Sequence, residues 1–291
     1  MTDFVQLLAS GCATGAVYAL AAMGFVLLWQ TSGTINFAQG EFVMLPAFAM
    51  LAGLRLGLPL PLAFLLTLAA SALLLGVGFQ RVVVQPLVKA DVLPLVVATL
   101  GLSLALRHAV RVGYSAEAQP FPPVFPDGVF AVGGVRVSAA DLGTLLAAGA
   151  LLLLLHAFIT RTLFGRSMQA AAQNRDAAHI LGIDVRRTVQ ATFVINALLA
   201  AVVALLVTPV WFAKFDMGDA IGLKAFLAAI IGGFNQMRGA LLGGILLGVL
   251  ENLAAAYVSP AYRDAVALVL FVVVILVRPE GLLGRAAERT V

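Results

Sequence analysis

Cysteine is almost absent: Cys12 stands alone inside the first apolar run, so neither a disulfide framework nor a zinc site is available, and it reads as a small packed residue. Charge is scarce too. Asp, Glu, Lys and Arg make up 11% of the 291 residues, against roughly 25% in an ordinary soluble domain. A water-facing surface cannot be built from so few charges. Histidine is sparse, and neither His108 nor His156 has a second ligand at helical spacing, so no metal is expected. Ser103 and His108 lie five residues apart on one predicted helix, a poor geometry for hydrolysis. No Gly-x-x-x-x-Gly-Lys-Ser/Thr phosphate loop occurs, which excludes ATP hydrolysis by that route. No catalytic residue, metal or cofactor is therefore expected.

What the chain has in quantity is apolar length. Residues of hydrophobic type account for 62% of it, and no Asp, Glu, Lys or Arg interrupts Phe4 to Gly40, Leu56 to Gln80, Leu142 to Thr160 or Thr188 to Ala213. A helix needs roughly 20 mostly apolar residues to cross hydrocarbon. Spans are predicted at Phe4–Trp29, Phe37–Leu54, Leu58–Phe79, Val92–Arg111, Leu142–Thr160, Thr188–Phe212, Gly239–Tyr257 and Tyr262–Val277, with Leu223–Phe234 too short to span comfortably. The fold class is thus all-α, a polytopic transmembrane bundle of eight full spans and one short or re-entrant helix. It is read as a single membrane domain over 1–291. No Lys or Arg precedes the first run, which also exceeds the roughly 7–15 residues of a signal-peptide core, so that run is expected to stay as a helix.

The net charge of +4 does not point to nucleic acid, because the basic residues are dispersed between apolar runs. Their bias between loops sets orientation instead. With 161–187 placed in the cytoplasm, Arg81, Lys89, Arg161, Arg166, Arg175, Arg186, Arg187, Arg238, Arg278, Arg285 and Arg289 lie inside, 11 of the 18 basic residues. The N-terminus then lies outside, provided that the short segment counts as a crossing. Residues 112–141 form an external loop, whose alternating Val129 to Val137 reads either as a hairpin with Gly133-Gly134 at its tip or as a solvated connector.

Three features carry functional expectations. The stretch from Thr31 to Glu41 sets hydroxyls, two amides and two glycines between apolar helices, and irregular backbone at membrane depth survives only when buried or lining a cavity. As a broken helix it would be capped by Ser32 or Thr34, begin near Asn36, and offer its free N–H groups to a carboxylate; as an ordinary turn it would sit at the membrane surface. Asn36, Phe37, Gln39 and Glu41 are the candidate pathway residues, joined by Glu251, the charge that lies deepest in its predicted span. Arg107, Asp216 and Lys224 are placed near span ends, reaching the interface. The loop 161–187 carries a run of good helix formers in which Asp176 would cap a short helix and Gly182-Ile183 would stop it. With Arg175, Asp176 and His179 exposed, that helix suits docking to another protein, or is a plain solvated connector. Lastly, small residues recur four apart at Gly11 and Gly15, Gly53 and Gly57, Gly239 and Gly243, and Gly244 and Gly248, and the dense cluster of Gly232, Gly233, Gly239, Gly243, Gly244 and Gly248 marks a helix-packing interface. Such spacing lets helix backbones approach closely in lipid.

Gly15-Ala-Val-Tyr-Ala-Leu20, Gly33-Thr-Ile-Asn-Phe-Ala-Gln-Gly-Glu41, Ala98-Thr-Leu-Gly-Leu-Ser-Leu104, Gly165 to Ala177, Leu181-Gly-Ile183, Gly232-Gly233, Gly239 to Gly244 and Arg278-Pro-Glu-Gly-Leu-Leu-Gly284 together resemble the branched-chain amino acid permeases of ABC importers, the first of the two paired types. The resemblance covers nearly the whole chain. It implies a bacterial inner-membrane subunit forming half of a pathway by alternating access. A second, similar permease, two cytoplasmic ATPase subunits and a periplasmic substrate-binding protein would be its partners, with membrane lipid around it. It also implies that Gln173, Asn174, Arg175, Asp176, His179 and Gly182 couple to the ATPases. Pro46, Gln85 and Met237-Arg238 depart from the family pattern. Urea and short-chain amide importers share the architecture, so the substrate alternative stays open, as does a proton-coupled carrier built on Glu251.

Overall fold

The computed structural model describes residues 2–87, 92–126, 128–132 and 135–284. Its helices are α1 (Thr2–Ser32), α2 (Glu41–Arg55), α3 (Leu60–Leu87), α4 (Val92–Gly113), α5 (Ala139–Arg161), α6 (Leu163–Gln173), α7 (Arg175–Ile180), α8 (Val185–Trp211), α9 (Met217–Gly232), α10 (Met237–Tyr257) and α11 (Arg263–Val277). Strands β1 (Val129–Val132) and β2 (Val135–Ser138) pair antiparallel, with Val129 opposite Ser138 and Val132 opposite Val135. The alternating sequence there does form the hairpin. The proposed Gly133-Gly134 tip, Asp127, and the basic residues Lys89, Arg285 and Arg289 lie outside the described residues.

Among the described residues, seven helices are long and apolar enough to cross a membrane. Seven of the eight expected full spans correspond to these helices. The segment anticipated over Phe37–Leu54 is the 15-residue α2, because residues 34–40 are not helical and Pro59 opens α3 soon afterwards. The short ninth segment becomes the 16-residue α9. Helices satisfy every internal backbone group without water, which is why this composition yields them and little else. Outward-facing Leu65, Leu73, Leu74 and Val97 on α3 and α4 are exposed, as suits hydrocarbon around them.

The chain forms two compact units, one of residues 1–26, 125–152 and 224–291 and the other of residues 27–124 and 153–223. In the first, the start of α1 meets α10 backbone to backbone: a Cβ on Gly15 would come within 2.7 Å of the Gly244 carbonyl and the Ile245 Cα, and one on Gly248 would overlap Gly15. Gly239 and Gly243 approach Gly232 and Ala228 equally closely. This is small-residue packing as lipid demands it, where close van der Waals contact replaces the hydrophobic drive. The terminal segment then closes α9, Leu282 N–H donating to the Ile231 carbonyl at 2.8 Å and Leu283 N–H to that of Gly232 at 3.0 Å. Those helix-end carbonyls would otherwise lack partners.

In the second unit α2 packs on α3 and α8. An aromatic chain runs from Phe42 to Phe79, edge to face at 5.0 Å, and from Phe79 to Phe193 at 5.9 Å. Helix α3 widens into π-helical turns at Ala72–Gly78 and Gln80–Val84, and Gly76 within the first of these lies against Val194 of α8. Widened turns of this kind recur at functional places in helices.

Candidate functional site

Helix α1 ends in a sequence that cannot sustain it. Thr31 and Ser32 turn their hydroxyls back onto the carbonyls of Leu27 (2.8 Å) and Leu28 (2.6 Å), a competition with the backbone that loosens a helix. Gly33 then takes φ +59°, a conformation open to glycine at no steric cost. Seven residues of irregular chain follow before α2, and most of them are buried, Asn36 and Gln39 at 2% exposure, as is Glu41, the first residue of α2, at 1%.

The cap expected from Ser32 or Thr34 is not formed. Ser32 is engaged with Leu28 and Thr34, and α2 begins at Glu41 behind Gly40, which offers no side-chain cap. Asn36 explains the delay: its Oδ1 accepts from the Ala38 N–H at 3.0 Å, a local turn that replaces a first helical turn. The Phe37 N–H donates to Thr99 Oγ on α4 at 3.3 Å. Gln39 and Asn196 of α8 exchange a reciprocal pair of amide bonds at 2.7 and 2.8 Å. Glu41 accepts from Ser103 Oγ at 3.0 Å and faces the Arg107 guanidinium at 3.5 Å, and Arg107 also pairs with Asp219. Gly40 lies directly on Gly218 and Gly222 of α9. Asn36, Phe37, Gln39 and Glu41 therefore share one polar neighbourhood in the second unit, with α2, α4, α8 and the first turn of α9 each supplying a wall.

Glu251 sits in the first unit. One carboxylate oxygen accepts from the Tyr18 hydroxyl at 2.9 Å and from Lys224 at 3.1 Å, and Lys224 also pairs with exposed Asp264 at 3.2 Å. Arg107 and Lys224, placed near the interface on sequence grounds, are instead partly and almost fully buried against carboxylates, with side chains 17% and 10% exposed. Charges in such surroundings persist only when paired. Sequence reading gave no role to Tyr18, Thr99, Asn196 and Asp219, and weighed Ser103 only as a hydrolytic nucleophile. A partner search for each apolar-embedded carboxylate would have raised Lys224 and Arg107 among the basic residues that lie within or beside apolar segments.

The loop 161–187 holds two helices. Helix α6 is capped by Thr162, which accepts from the Gly165 N–H at 3.0 Å, and Gly165 packs onto Phe158 and Ile159 of α5. The cap of α7 is Asn174, accepting from the Ala177 N–H at 2.9 Å, and not Asp176, which stands within the first turn. Helix α6 runs on through Gln173, so the break falls at Asn174 and that side chain takes the cap. Gly182 stops α7 at φ +81°, with the Ile183 N–H on the Ala178 carbonyl at 3.0 Å, as the sequence led us to expect. Gln173, Asn174, Asp176, His179 and Gly182 are exposed, beside the exposed apolar side chains of Ile180 and Leu181. Arg175 is exposed too, yet its Nη2 donates inward to the Thr31 carbonyl at 3.1 Å.

The family model described as "Branched-chain amino acid transport system / permease component" matches residues 7–275. The high-affinity branched-chain amino acid transport system permease protein BraD of Pseudomonas aeruginosa is 33% identical, over 97% of this chain and 96% of its own. The corresponding permease protein LivH of Escherichia coli K12 is 32% identical over the same shares. A probable branched-chain amino acid transport permease protein LivH of Methanocaldococcus jannaschii is 27% identical, over 91% of this chain and 88% of its own. A multi-pass helical membrane chain matched in this way from near its first residue to its last helix belongs to the family of branched-chain amino acid transport permease components.

Proposed function

We propose that the chain forms half of a translocation pathway for branched-chain or related amino acids, with a second, similar permease supplying the other half. ATP hydrolysed by soluble partner subunits drives alternating access, and a separate binding protein delivers the solute. The observation that carries the pathway assignment is the buried polar stretch from Asn36 to Glu41, set between apolar helices. Such backbone costs free energy in hydrocarbon and is retained only where protein buries it or a passage runs beside it. An amino acid brings a carboxylate and an ammonium group, and amides beside a compensated Glu–Arg pair can meet both without a net charge buried in lipid. Glu251 is held by Lys224 and Tyr18, so a proton-coupled carrier working alone is not the favoured reading.

In Asn36→Leu the turn at Ala38 and the buried amide are lost together. Uptake in reconstituted vesicles is expected to fall about tenfold or more, by the logic of a lost polar contact worth about 1.4 kcal/mol or more, while the assembled complex keeps its composition. Uptake equal to that of the parent would remove Asn36 from the pathway.

The exposed face of α7 is the surface assigned to the ATPase subunits. Reversing a charge in its first turn, Asp176→Arg, is expected to cut solute-stimulated ATP hydrolysis roughly fivefold to tenfold, the scale of a disrupted charged contact, with the permease still inserted. Undiminished stimulation would move the docking site elsewhere.

A further inference from the structure

We infer that Arg175 is the positioning residue through which the exposed helix α7 governs the buried stretch from Asn36 to Glu41. The inference rests on the functional reading above and names the side chain that joins its two ends. Helix α1 has no basic residue in its last turn, although the final carbonyls of a helix carry partial negative charge and lack intrahelical donors. The Arg175 guanidinium supplies both missing elements, donating to the Thr31 carbonyl at 3.1 Å. It also lies against Gly33, where a Cβ would stand 3.4 Å from Nη2. The contact falls on the loosened turn where Thr31 and Ser32 bond back to Leu27 and Leu28 and Gly33 reverses the chain. Three residues later Asn36 begins the polar stretch.

The arrangement has the form of a lever. Arg175 is the first residue of α7, one position before Asp176 on the exposed face, so a displacement of α7 moves the guanidinium that fixes the end of α1. Either the Thr31 bond breaks or residues 33–40 follow. A carbonyl at a helix end bonded to a cation contributes more than an ordinary neutral hydrogen bond. Arg175 touches neither solute nor nucleotide; it acts by setting where α1 stops.

Two measurements on the full chain test this. In a Cys12→Ser background, Ile35→Cys in the half-buried part of the stretch is labelled with a polar maleimide in lipid nanodiscs. Adding Arg175→Gln is expected to change the labelling rate about tenfold, the scale of a lost charge-assisted bond, and Arg175→Lys, which can still reach the carbonyl, to restore most of it. With the ATPase subunits assembled, Arg175→Gln is expected to lower the solute moved per ATP hydrolysed by roughly tenfold. An unchanged labelling rate, or an unchanged ratio of solute to ATP, overturns the inference. So does loss of ATPase copurification in Arg175→Gln with labelling unaltered, which would place Arg175 in the docking surface alone. If labelling shifts while even the parent chain captures no ATPase, the positioning role stands and the partner-driven reading falls.

Discussion

Lys224→Met is expected to cost about 3–5 kcal/mol of folding stability, because it strands a buried carboxylate whose cation has been removed. Glu251 is 2% exposed, and the oxygen that Lys224 reaches is shared, among the described residues, with the Tyr18 hydroxyl. Water cannot enter cheaply to replace the ammonium. The exposed Asp264 contributes little to the balance, since a partner open to solvent is screened. The loss should appear as a lowered thermal midpoint in detergent and a reduced yield of inserted protein. Lys224→Met combined with Glu251→Met should recover most of it, because removing both charges also removes both desolvation costs. A single variant with the parent's midpoint would show that the pair is not what holds α9 to α10.

The second large effect is expected at Gly40. Its φ of −62° suits any residue, so Gly40→Ala introduces no backbone strain, only a methyl group. That methyl would overlap the Gly218 carbonyl and stand 3.2 Å from the Gly218 Cα. Backbone on the far side cannot rotate away as a side chain would, and overpacking of this kind costs about 1–3 kcal/mol. The neighbouring Glu41 would lose its place against Ser103 and Arg107, so uptake should fall further than stability alone would dictate. Gly149→Ala is the matched control. A Cβ there meets nothing within 4 Å, and in a helix interior the change is neutral or stabilising by up to about 1 kcal/mol. Equal behaviour of the two variants in thermal unfolding and uptake would refute the close-approach argument.

Much of the architecture was legible because it depends on local composition. The apolar runs, four of them free of charge, located every helix long enough to cross a membrane among the described residues, alternation at Val129 to Val137 located the hairpin, and Gly182 located the end of α7. Pairings were less legible because they join residues far apart in sequence: Tyr18 and Glu251 are separated by 233 positions, and no periodicity encodes which buried charge meets which. The two caps were misassigned for a different reason. Asn and Asp are both good caps, and the choice of Asn174 over Asp176 was made by where α6 ended. Asn36 spent its side chain on Ala38 and so postponed α2 to Glu41. The likeness of Gly11, Gly15, Gly244 and Gly248 to a packing motif was visible in the sequence, but their mutual contact was not.

The amide clasp between Gln39 and Asn196 has an electrical consequence. Moving one elementary charge through the field of an energised membrane is worth about 2.3 kcal/mol per 100 mV. Two neutral amides that satisfy one another carry none. Residues 36–39 can therefore shift with α8 without doing work against the transmembrane voltage, and neither salt nor acidity loosens the grip. Any response of a passage hinged there to the membrane voltage would have to come from the charged Glu41, Arg107 and Asp219 nearby, and not from the clasp itself.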